Sequence, residues 1–356
     1  MTGLLRALCL WLAILAAGCA PALVPAGRAV GVAKLNHDHI ATADGISLPM
    51  RSWLPEGETT AAVLALHGFN DYSNAFAGPG EQLAKRGIAV YAYDQRGFGE
   101  APHRGLWPGV DTLAADVSAA ARLVAAHHPG KPLYLMGESM GGAVLMVAMT
   151  GPRPPPVAGI ILSAPAVWGR STMNVFERSA LWLFSRTVPW MVVSGRGLDI
   201  KPSDNIEMLR ALSRDPLVIK ETRIDTIRGL VDLMDAGQAA AARLDVPALV
   251  LYGEKDEIVP PRATYAMLGA LPAPGARQRI AIYPDGYHML MRDLQAAVVL
   301  GDVAAWVERH TMPLPSGADR RAAEVLAGIM SGREPLEVRR HGDGGLPRAA
   351  GPALTE

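Results

Sequence analysis

A serine in a glycine-rich turn is the residue whose surroundings best fit chemistry. Ser139 lies in the run Gly-Glu-Ser-Met-Gly-Gly at residues 137–142, between the apolar runs 132–136 and 142–146. This order predicts a strand, a tight turn and a helix, which together present a serine hydroxyl above a sheet. The glycines leave space for the turn, and the start of a helix favours developing negative charge. We predict that Ser139 is a catalytic nucleophile, against the alternative that it only begins a helix.

A serine nucleophile needs a base, and His288 is the best placed of nine histidines. It follows the predicted strand 279–283 and lies in a loop beyond the end of that strand. Active sites of α/β proteins assemble at such strand ends. Most of the other histidines lie in predicted loops or tails or at helix ends. The alternative is a histidine that only forms hydrogen bonds within its own loop.

The base in turn needs a carboxylate that orients it, and Asp256 is the first candidate. Asp256 comes just after the apolar run 248–252, so it also lies beyond a strand end. Serine, aspartate and histidine follow in this same order along the chain in catalytic triads that are built on an α/β sheet. Glu254 and Glu257 stand in the same loop and remain rivals.

The oxyanion of an acyl-transfer reaction needs two backbone N–H donors. Met140, directly after the predicted nucleophile, would supply one of them. Phe69, in the loop after the apolar run 61–66, would supply the other. The alternative for this loop is a simple end to the strand.

The elements that position these residues alternate between strand and helix. Short apolar runs predict strands that are buried on both faces, and longer amphipathic stretches predict helices between them. This alternation predicts an α/β fold, a mostly parallel sheet flanked by helices. A hairpin with an Asp44-Gly45 turn should precede it. The predicted strands are 61–66, 88–93, 133–136, 160–162, 248–252 and 279–283, and the predicted helices are 81–86, 111–128, 140–149, 294–309 and 318–330.

The alternation of strands and helices is interrupted between the two halves of this core. We predict a core at residues 37–165 and 247–312, an inserted helical cap at 166–246, and a partly disordered C-terminal tail at 313–356. The cap is rich in aromatic and aliphatic residues around positions 182–193. They could line an acyl channel, touch a bilayer, or pack against the core as ordinary helix residues do.

The first residues predict export. Residues 1–19 carry one charge, Arg6, then a short apolar run and small residues that end at Cys19, as in a secretory signal. The end of this segment resembles a bacterial lipobox, which implies lipidation of Cys19, a membrane as partner and, because Ala20 is not Asp, the outer membrane. Residues 20–36 would form a flexible linker. An ordinary cleaved signal or an N-terminal anchor is the alternative.

Composition narrows the partners further. Thirty-four basic residues balance 34 acidic ones, which gives no reason to expect nucleic acid. The 356 residues, half of them hydrophobic, suit one large α/β domain with an insertion. Cys9 and Cys19 are the two cysteines, so the chain after Cys19 offers no disulfide and no thiolate site for a metal.

Taken together, these motifs resemble the monoacylglycerol lipase and lysophospholipase-like α/β-hydrolases, which are also grouped with the S33 serine aminopeptidases. The matching pieces are residues 67–71, 93–99, 137–142 and 286–288 and the Asp256 loop. The resemblance implies the α/β-hydrolase fold with a cap, acyl-ester substrates and no cofactor. Two departures concern the substrate: the family commonly has His in place of Glu138, and a second His within the run occupied here by residues 94–97.

The expected function is therefore hydrolysis of a carboxylic ester, a monoacylglycerol or a lysophospholipid, through an acyl-enzyme. A peptidase acting on N-terminal residues is the first alternative, and it would need a negatively charged pocket for the substrate amine. A binding protein without catalysis is the second, but a binder has no need of an activated serine.

Overall fold

A computed structural model describes residues 21–195, 197, 199–275 and 277–331 of the chain. The predicted signal at 1–19 with Cys19, and residues 332–356 of the predicted tail, lie outside the described residues. Within the described part of the chain, no helix has the length and apolar character needed to cross a membrane.

The strands of the core are continuous apolar runs, as the sequence predicts. All six residues of the run Ala61–Leu66 are buried, and those of Ile88–Tyr93 are too. Such runs suit a sheet that is covered on both faces. In the described residues the strands are β1 (Lys34–Leu35), β2 (His39–Ala41), β3 (Ser47–Trp53), β4 (Ala61–Leu66), β5 (Ile88–Tyr93), β6 (Leu133–Glu138), β7 (Gly159–Ser163), β8 (Val192–Val193), β9 (Thr222–Arg223), β10 (Ala248–Gly253) and β11 (Gln278–Tyr283).

Nine of these strands form one sheet in the order β1-β2-β3-β5-β4-β6-β7-β10-β11. From β5 to β11 every pairing is parallel, whereas β1, β2 and β3 pair antiparallel with their neighbours and with β5. The Asp44-Gly45 hairpin joins β2 to β3, with Gly45 at a φ of 82°. The predicted mostly parallel sheet is therefore confirmed. Its strands β4, β6, β10 and β11 end at the same edge, where the candidate site residues follow them.

Helices cover both faces of this sheet, and the alternation along β4 shows how. Ala62, Leu64 and Leu66 face one hydrophobic cluster, whereas Val63 and Ala65 face the other. In the described residues the α-helices are α1 (Ala77–Ala84), α2 (Val110–His127), α3 (Met140–Thr150), α4 (Val175–Thr187), α5 (Ile206–Arg214), α6 (Ile224–Ala240), α7 (Pro261–Ala270), α8 (Ala296–Glu308) and α9 (Ala318–Met330). Helices α2, α3 and α7 pack on the first cluster, and α1 and α8 pack on the second.

The cap region predicted at 166–246 contains α4, α5 and α6. It also contains a short two-stranded sheet of β8 and β9 that the sequence did not suggest, since each strand has only two residues. Helix α6 joins the cap to the core, because a Cβ on Gly237 would lie 3.3 Å from Cβ of Ala143 in α3. On the same helix, Gly229 leaves room for the indole ring of Trp107.

Residues 21–33, here called the strap, lie in the segment predicted as a linker and form hydrogen bonds with the body of the protein. The Val24 N–H donates to the Trp107 carbonyl at 2.9 Å, and the Gly27 N–H donates to the Asp44 carboxylate at 2.8 Å. The end of the predicted linker forms β1. These partners come from other parts of the sequence, so no local pattern in the strap could predict the contacts.

The first part of the predicted tail is also ordered. Helix α9 packs on β11 and buries Ala322 and Val325 in the first hydrophobic cluster. An ion pair of 2.7 Å between Arg279 on β11 and Asp319 on α9 fixes the helix there. The helix predicted at 318–330 is thus present as an element of the core.

A buried ion network supports the loop after β5. Arg96 donates through Nε to Asp116 at 2.6 Å and through Nη1 to Asp44 at 2.8 Å, and all three side chains are buried. Asp44 also accepts from the strap, so the network joins the hairpin, α2 and the strap. Removal of one partner from a buried network leaves charges without compensation.

We therefore expect Arg96→Met to lower the free energy of unfolding by about 3–5 kcal/mol, because two buried carboxylates lose their cation. Urea denaturation of the purified protein measures this. The control is Arg210→Met, which removes an exposed arginine of α5 and should change stability by less than about 0.5 kcal/mol. Equal losses in both variants would contradict the buried network.

Candidate active site

Ser139 lies between β6 and α3 in a strained backbone conformation. Its φ is 52° and its ψ is −114°, a region that residues other than glycine seldom occupy. Hydrogen bonds from both sides hold it there: its N–H donates to the Ser163 carbonyl, and its own carbonyl accepts from the Ala166 N–H, each at 2.9 Å. The predicted strand, turn and helix are thus present, with the serine at the turn.

The glycines around Ser139 are required by space. A Cβ on Gly137 would lie 2.5 Å from the Gly142 nitrogen, inside the turn itself. A Cβ on Gly141 would lie 2.2 Å from the Leu66 carbonyl oxygen at the end of β4. Neither neighbour is a flexible side chain that could move aside. The turn can therefore exist only with glycine at these two positions.

His288 and Asp256 meet as the sequence predicts. The His288 Nδ1 lies 2.9 Å from Asp256 Oδ2, and both side chains are buried. Because a carboxylate only accepts hydrogen bonds, Nδ1 carries the proton and Nε2 keeps its lone pair. His288 and Ser139 line the same cavity. An imidazole in this tautomer can accept a proton from a serine hydroxyl.

The structure also separates Asp256 from its two rivals. The other Asp256 oxygen accepts from the backbone N–H groups of Ile258 and Val259, at 2.8 and 3.0 Å, which fixes the carboxylate plane. Glu254 instead pairs with Arg321 at 2.9 Å, and Glu257 accepts from the Lys201 N–H at 2.7 Å. Of the three acids, Asp256 is the one that contacts the histidine.

The loops that carry this pair are packed against each other. The Lys255 N–H donates to the Gly286 carbonyl at 2.9 Å. A Cβ on Gly253 would lie 2.3 Å from that same carbonyl oxygen, so the loops after β10 and β11 touch through their backbones. This contact sets the distance between the carboxylate and the imidazole.

Burial and neighbouring charge shift the pKa of His288 in opposite directions. Burial lowers the pKa of the imidazole, because it disfavours the charged form. The charge of Asp256 and its hydrogen bond outweigh burial, so the pKa lies above its ordinary value of 6.5. Among smaller influences, Glu138 raises the pKa and Arg292 lowers it.

The two backbone segments predicted to supply oxyanion donors both lie close to the serine. Met140 begins α3, where the first N–H groups have no partner within the helix. The second loop is close as well, because a Cβ on Gly68 would lie 3.5 Å from the Ser139 Cβ. Phe69 follows Gly68, and its ring packs edge-on against Phe98. N–H donors at these two positions can stabilise the negative charge that develops on a substrate's carbonyl oxygen when Ser139 attacks it.

The shape of this second loop depends on a buried histidine. His67 donates from Nδ1 to the Gly68 carbonyl at 2.8 Å, and its Nε2 accepts from the Gln95 N–H at 3.0 Å. Burial lowers the pKa of His67, which keeps the ring neutral so that Nε2 can accept. The loop after β5 therefore holds the loop after β4 in place.

Ser139 and His288 open into a cavity of about 390 Å³ between the core and the cap. Most of its wall is apolar. Trp168 and Met173 come from the start of the cap region, and Leu230 and Met234 come from α6. A cavity of this size and character can hold an acyl chain, with its reacting end at the serine.

A charged cluster beside the serine was not predicted from the sequence. Arg292 donates to Asp71 at 2.8 Å and to Glu138 at 2.5 Å, and all three residues line the cavity. Burial lowers the pKa of Arg292, but the two carboxylates outweigh it and the arginine stays charged. One signal was available, an arginine four residues after His288 in an otherwise apolar run.

The charged cluster yields opposite expectations for two variants. Glu138→Gln removes a negative charge and should lower the pKa of His288, whereas Arg292→Gln removes a positive charge and should raise it. The pH titration of the His288 imidazole signal by NMR measures both without any assumption about substrate. Arg292→Lys, which keeps the charge, is the control. Shifts of the same sign in the two glutamine variants would contradict the arrangement.

Comparison with known proteins places the chain in a family. Residues 57–295, more than half of the chain, match the family described as serine aminopeptidase, S33. Monoacylglycerol lipase of Mycolicibacterium smegmatis is 23% identical over 282 residues, which cover 78% of this chain and 99% of the relative. Human monoglyceride lipase is 25% identical over 290 residues, which cover 77% and 90%.

The solved structures agree on the fold. The crystal structure of Paleococcus ferrophilus monoacylglycerol lipase has a TM-score of 0.63 with this chain, at 23% identity, over 74% of this chain and 99% of that one. The named relatives support the predicted class of enzyme, a carboxylic ester hydrolase. The chain has the α/β-hydrolase fold that the sequence predicted, and it belongs to the serine aminopeptidase S33 family.

Proposed function

We propose that this chain hydrolyses monoacylglycerols through an acyl-enzyme intermediate on Ser139. One observation carries the proposal: the strained serine and the Asp256-bound His288 open into the same apolar cavity. A strained serine with a buried base beside it is costly to maintain, and neither feature would help a protein that only binds.

Acylation begins with the proton of the serine hydroxyl. His288 Nε2 accepts that proton while Ser139 Oγ attacks the carbonyl carbon of the ester. Negative charge then develops on the carbonyl oxygen, where the Phe69 and Met140 N–H groups donate to it. The Asp256 carboxylate stabilises the imidazolium that forms. His288 next gives the proton to the leaving alcohol, and the acyl group stays on Ser139.

Deacylation repeats these steps with water as the nucleophile. His288 removes a proton from a water molecule, which attacks the acyl carbonyl, and the same two N–H groups stabilise the second oxyanion. The proton returns to Ser139 and the fatty acid leaves. Since the base must be neutral, activity should fall as the pH drops through the raised pKa of His288.

The charges near the serine favour a neutral leaving alcohol. Asp71 and Glu138 carry two negative charges against the single positive charge of Arg292. An anionic phosphate group in the leaving alcohol would add repulsion in a poorly solvated site. Glycerol carries no charge and has hydroxyls for hydrogen bonds. This supports a monoacylglycerol over a lysophospholipid.

The same residues speak against a peptidase. An amine pocket needs carboxylates that are available to the substrate, but both acids already bind Arg292. Asp71 also accepts from the Tyr72 N–H through its other oxygen, at 2.9 Å. The two carboxylates are therefore occupied by hydrogen bonds within the protein and are not available to a substrate amine.

The test is hydrolysis by protein lacking residues 1–19. We expect turnover of p-nitrophenyl esters and of monoacylglycerol, slower turnover of a lysophospholipid and none of an aminoacyl anilide. Ser139→Ala should lower kcat/KM for the esters at least about 10³-fold, because it removes the nucleophile.

A matched control for that variant is Ser163→Ala. Ser163 is buried on the neighbouring strand β7, and its hydroxyl has no hydrogen-bond partner among the described residues. It should keep nearly full activity. Ester turnover that survives Ser139→Ala would refute the proposed nucleophile, and preferred turnover of the anilide would favour the peptidase.

We further propose that Cys19 is lipidated and holds the enzyme on a membrane of the bacterial envelope, most favourably the outer membrane. The lipobox-like run before Cys19 supports this. Two or more acyl chains suffice for stable anchoring. Metabolic labelling with palmitate should mark the full chain and not Cys19→Ala, and a label that persists in the variant would refute lipidation.

A further inference from the structure

Asn70 joins the loop after β4 to the cap. Its carbonyl accepts from the Ile219 N–H at 2.9 Å, and its Nδ2 donates to the Thr222 Oγ1 at 2.7 Å. Thr222 is buried and lies in the short strand β9 of the cap. Asn70 therefore contacts the cap through both its backbone and its side chain, directly after Phe69, the residue proposed as an oxyanion donor.

The backbone of Asn70 is held in an unfavourable conformation. Its φ is 65°, in the left-handed region that residues other than glycine seldom adopt, although asparagine tolerates it better than most. Its amide oxygen is buried and has no hydrogen-bond partner among the described residues, which lowers stability. Both features persist only where the surroundings fix the residue, and the two hydrogen bonds to the cap do so.

The Asn70 carbonyl is the start of a chain of hydrogen-bonded peptide groups. On the other side of the same peptide group, the Asp71 N–H donates to the Gly68 carbonyl at 3.3 Å. The Gly68 carbonyl shares its own peptide group with the Phe69 N–H, which has no hydrogen-bond partner in the part of the chain that the structure describes. Because these peptide groups are planar and trans, each N–H points away from its carbonyl. The chain therefore runs from the cap through two peptide groups to a free N–H.

This chain affects both the direction and the strength of the last donor. If the Asn70 peptide group rotated, the Asp71 N–H would leave the Gly68 carbonyl, and the peptide group that carries the Phe69 N–H would lose one of its restraints. Hydrogen bonds in series also polarise one another, so the bond at the cap makes the final N–H a better donor. An N–H that is already oriented stabilises a developing oxyanion without reorganisation during the reaction.

We propose that Asn70 is a positioning residue through which residues 219–222 of the cap orient the Phe69 N–H towards the oxyanion. Stabilisation of the transition state then depends on the docked position of the cap, although Asn70 and residues 219–222 all lie outside the wall of the catalytic cavity. The proposal rests on the acyl-enzyme reaction proposed above. It assigns the cap a part in the chemical step, in addition to enclosing the substrate.

The test compares two buried threonines of the cap that each form one hydrogen bond to the core. Thr222→Val removes the acceptor of the Asn70 amide. Thr226→Val is the matched control, because it removes a hydroxyl that donates to the Gly105 carbonyl at 2.8 Å, away from the serine. Neither threonine lines the catalytic cavity. Urea denaturation of both variants should show similar losses of stability, so that a difference in activity reports on the site.

We expect Thr222→Val to lower kcat for a soluble p-nitrophenyl ester about tenfold, with little change in KM. This is less than the loss expected when an oxyanion donor is removed outright, because His67 still holds the Gly68 carbonyl from the core. Thr226→Val should keep kcat within about twofold of the unchanged enzyme.

Asn70→Gly provides an independent variant. Glycine accepts the positive φ and keeps the carbonyl that binds Ile219, but it lacks the amide. Asn70→Gly and Thr222→Val remove the same hydrogen bond, so the double variant should lose no more activity than either single variant. Losses that add in the double variant would contradict the proposed connection.

A trifluoromethyl ketone with an acyl-like chain distinguishes positioning of the donor from a general loss of structure. Ser139 Oγ adds to its carbonyl carbon, the hydroxyl proton passes to His288, and the carbonyl oxygen becomes an oxyanion, so that no group leaves. The Ki of the ketone should rise about tenfold in Thr222→Val, in parallel with the fall in kcat. The Ki of the corresponding alcohol, which forms no adduct, should stay unchanged in both variants.

The outcomes separate this inference from the proposed function. An unchanged enzyme that neither hydrolyses an ester nor binds the ketone would refute the acyl-enzyme reaction, and the role of Asn70 would fall with it. An active enzyme in which Thr222→Val and Thr226→Val have the same kcat would refute the role of Asn70 alone. So would an equal rise in Ki for the ketone and the alcohol in Thr222→Val, since the variant would then have changed the cavity and not the donor.

Discussion

The strained backbone of Ser139 is the constraint to which the surrounding structure is fitted. A positive φ at a serine is unfavourable, so it persists only where the neighbours leave no relaxed alternative. Here β6 and β7 fix it through the Ser163 carbonyl, and the carbonyl end of β4 approaches so closely that Gly141 has no room for a side chain. The parallel sheet thereby aims one hydroxyl into the cavity with little freedom.

Charge in the site is balanced at short range because the surroundings are poorly solvated. The Asp256 carboxylate offsets the effect of burial on the pKa of His288. The positive charge of Arg292 offsets the negative charges of the two acids beside Ser139. In such surroundings each neighbouring charge acts on the imidazole more strongly than it would in water. The Glu138 carboxylate is thus matched by its arginine partner, and the site stays buried without an isolated charge.

The sequence predicted what depends on local pattern. Buried strands appear as apolar runs, and Ser139, Asp256 and His288 each follow such a run, so their common edge could be inferred. Choosing Asp256 over its rivals needed the observed contact with the imidazole. The partners of Arg292, 154 and 221 positions away, could not be inferred from spacing. The hydrogen bonds of the strap could not be inferred for the same reason, because its carbonyl and carboxylate partners come from other loops and helices.

Helix α9 has a consequence for how molecules of this protein meet one another. Strand β11 is the last strand of the sheet, and its Ile280 and Ile282 lie in the same cluster as Ala322 and Val325 of α9. An apolar strand left bare at a sheet edge is a template for pairing with another chain. By packing on one face of that strand, a helix remote from the serine buries apolar side chains that a second copy of the chain could otherwise bind.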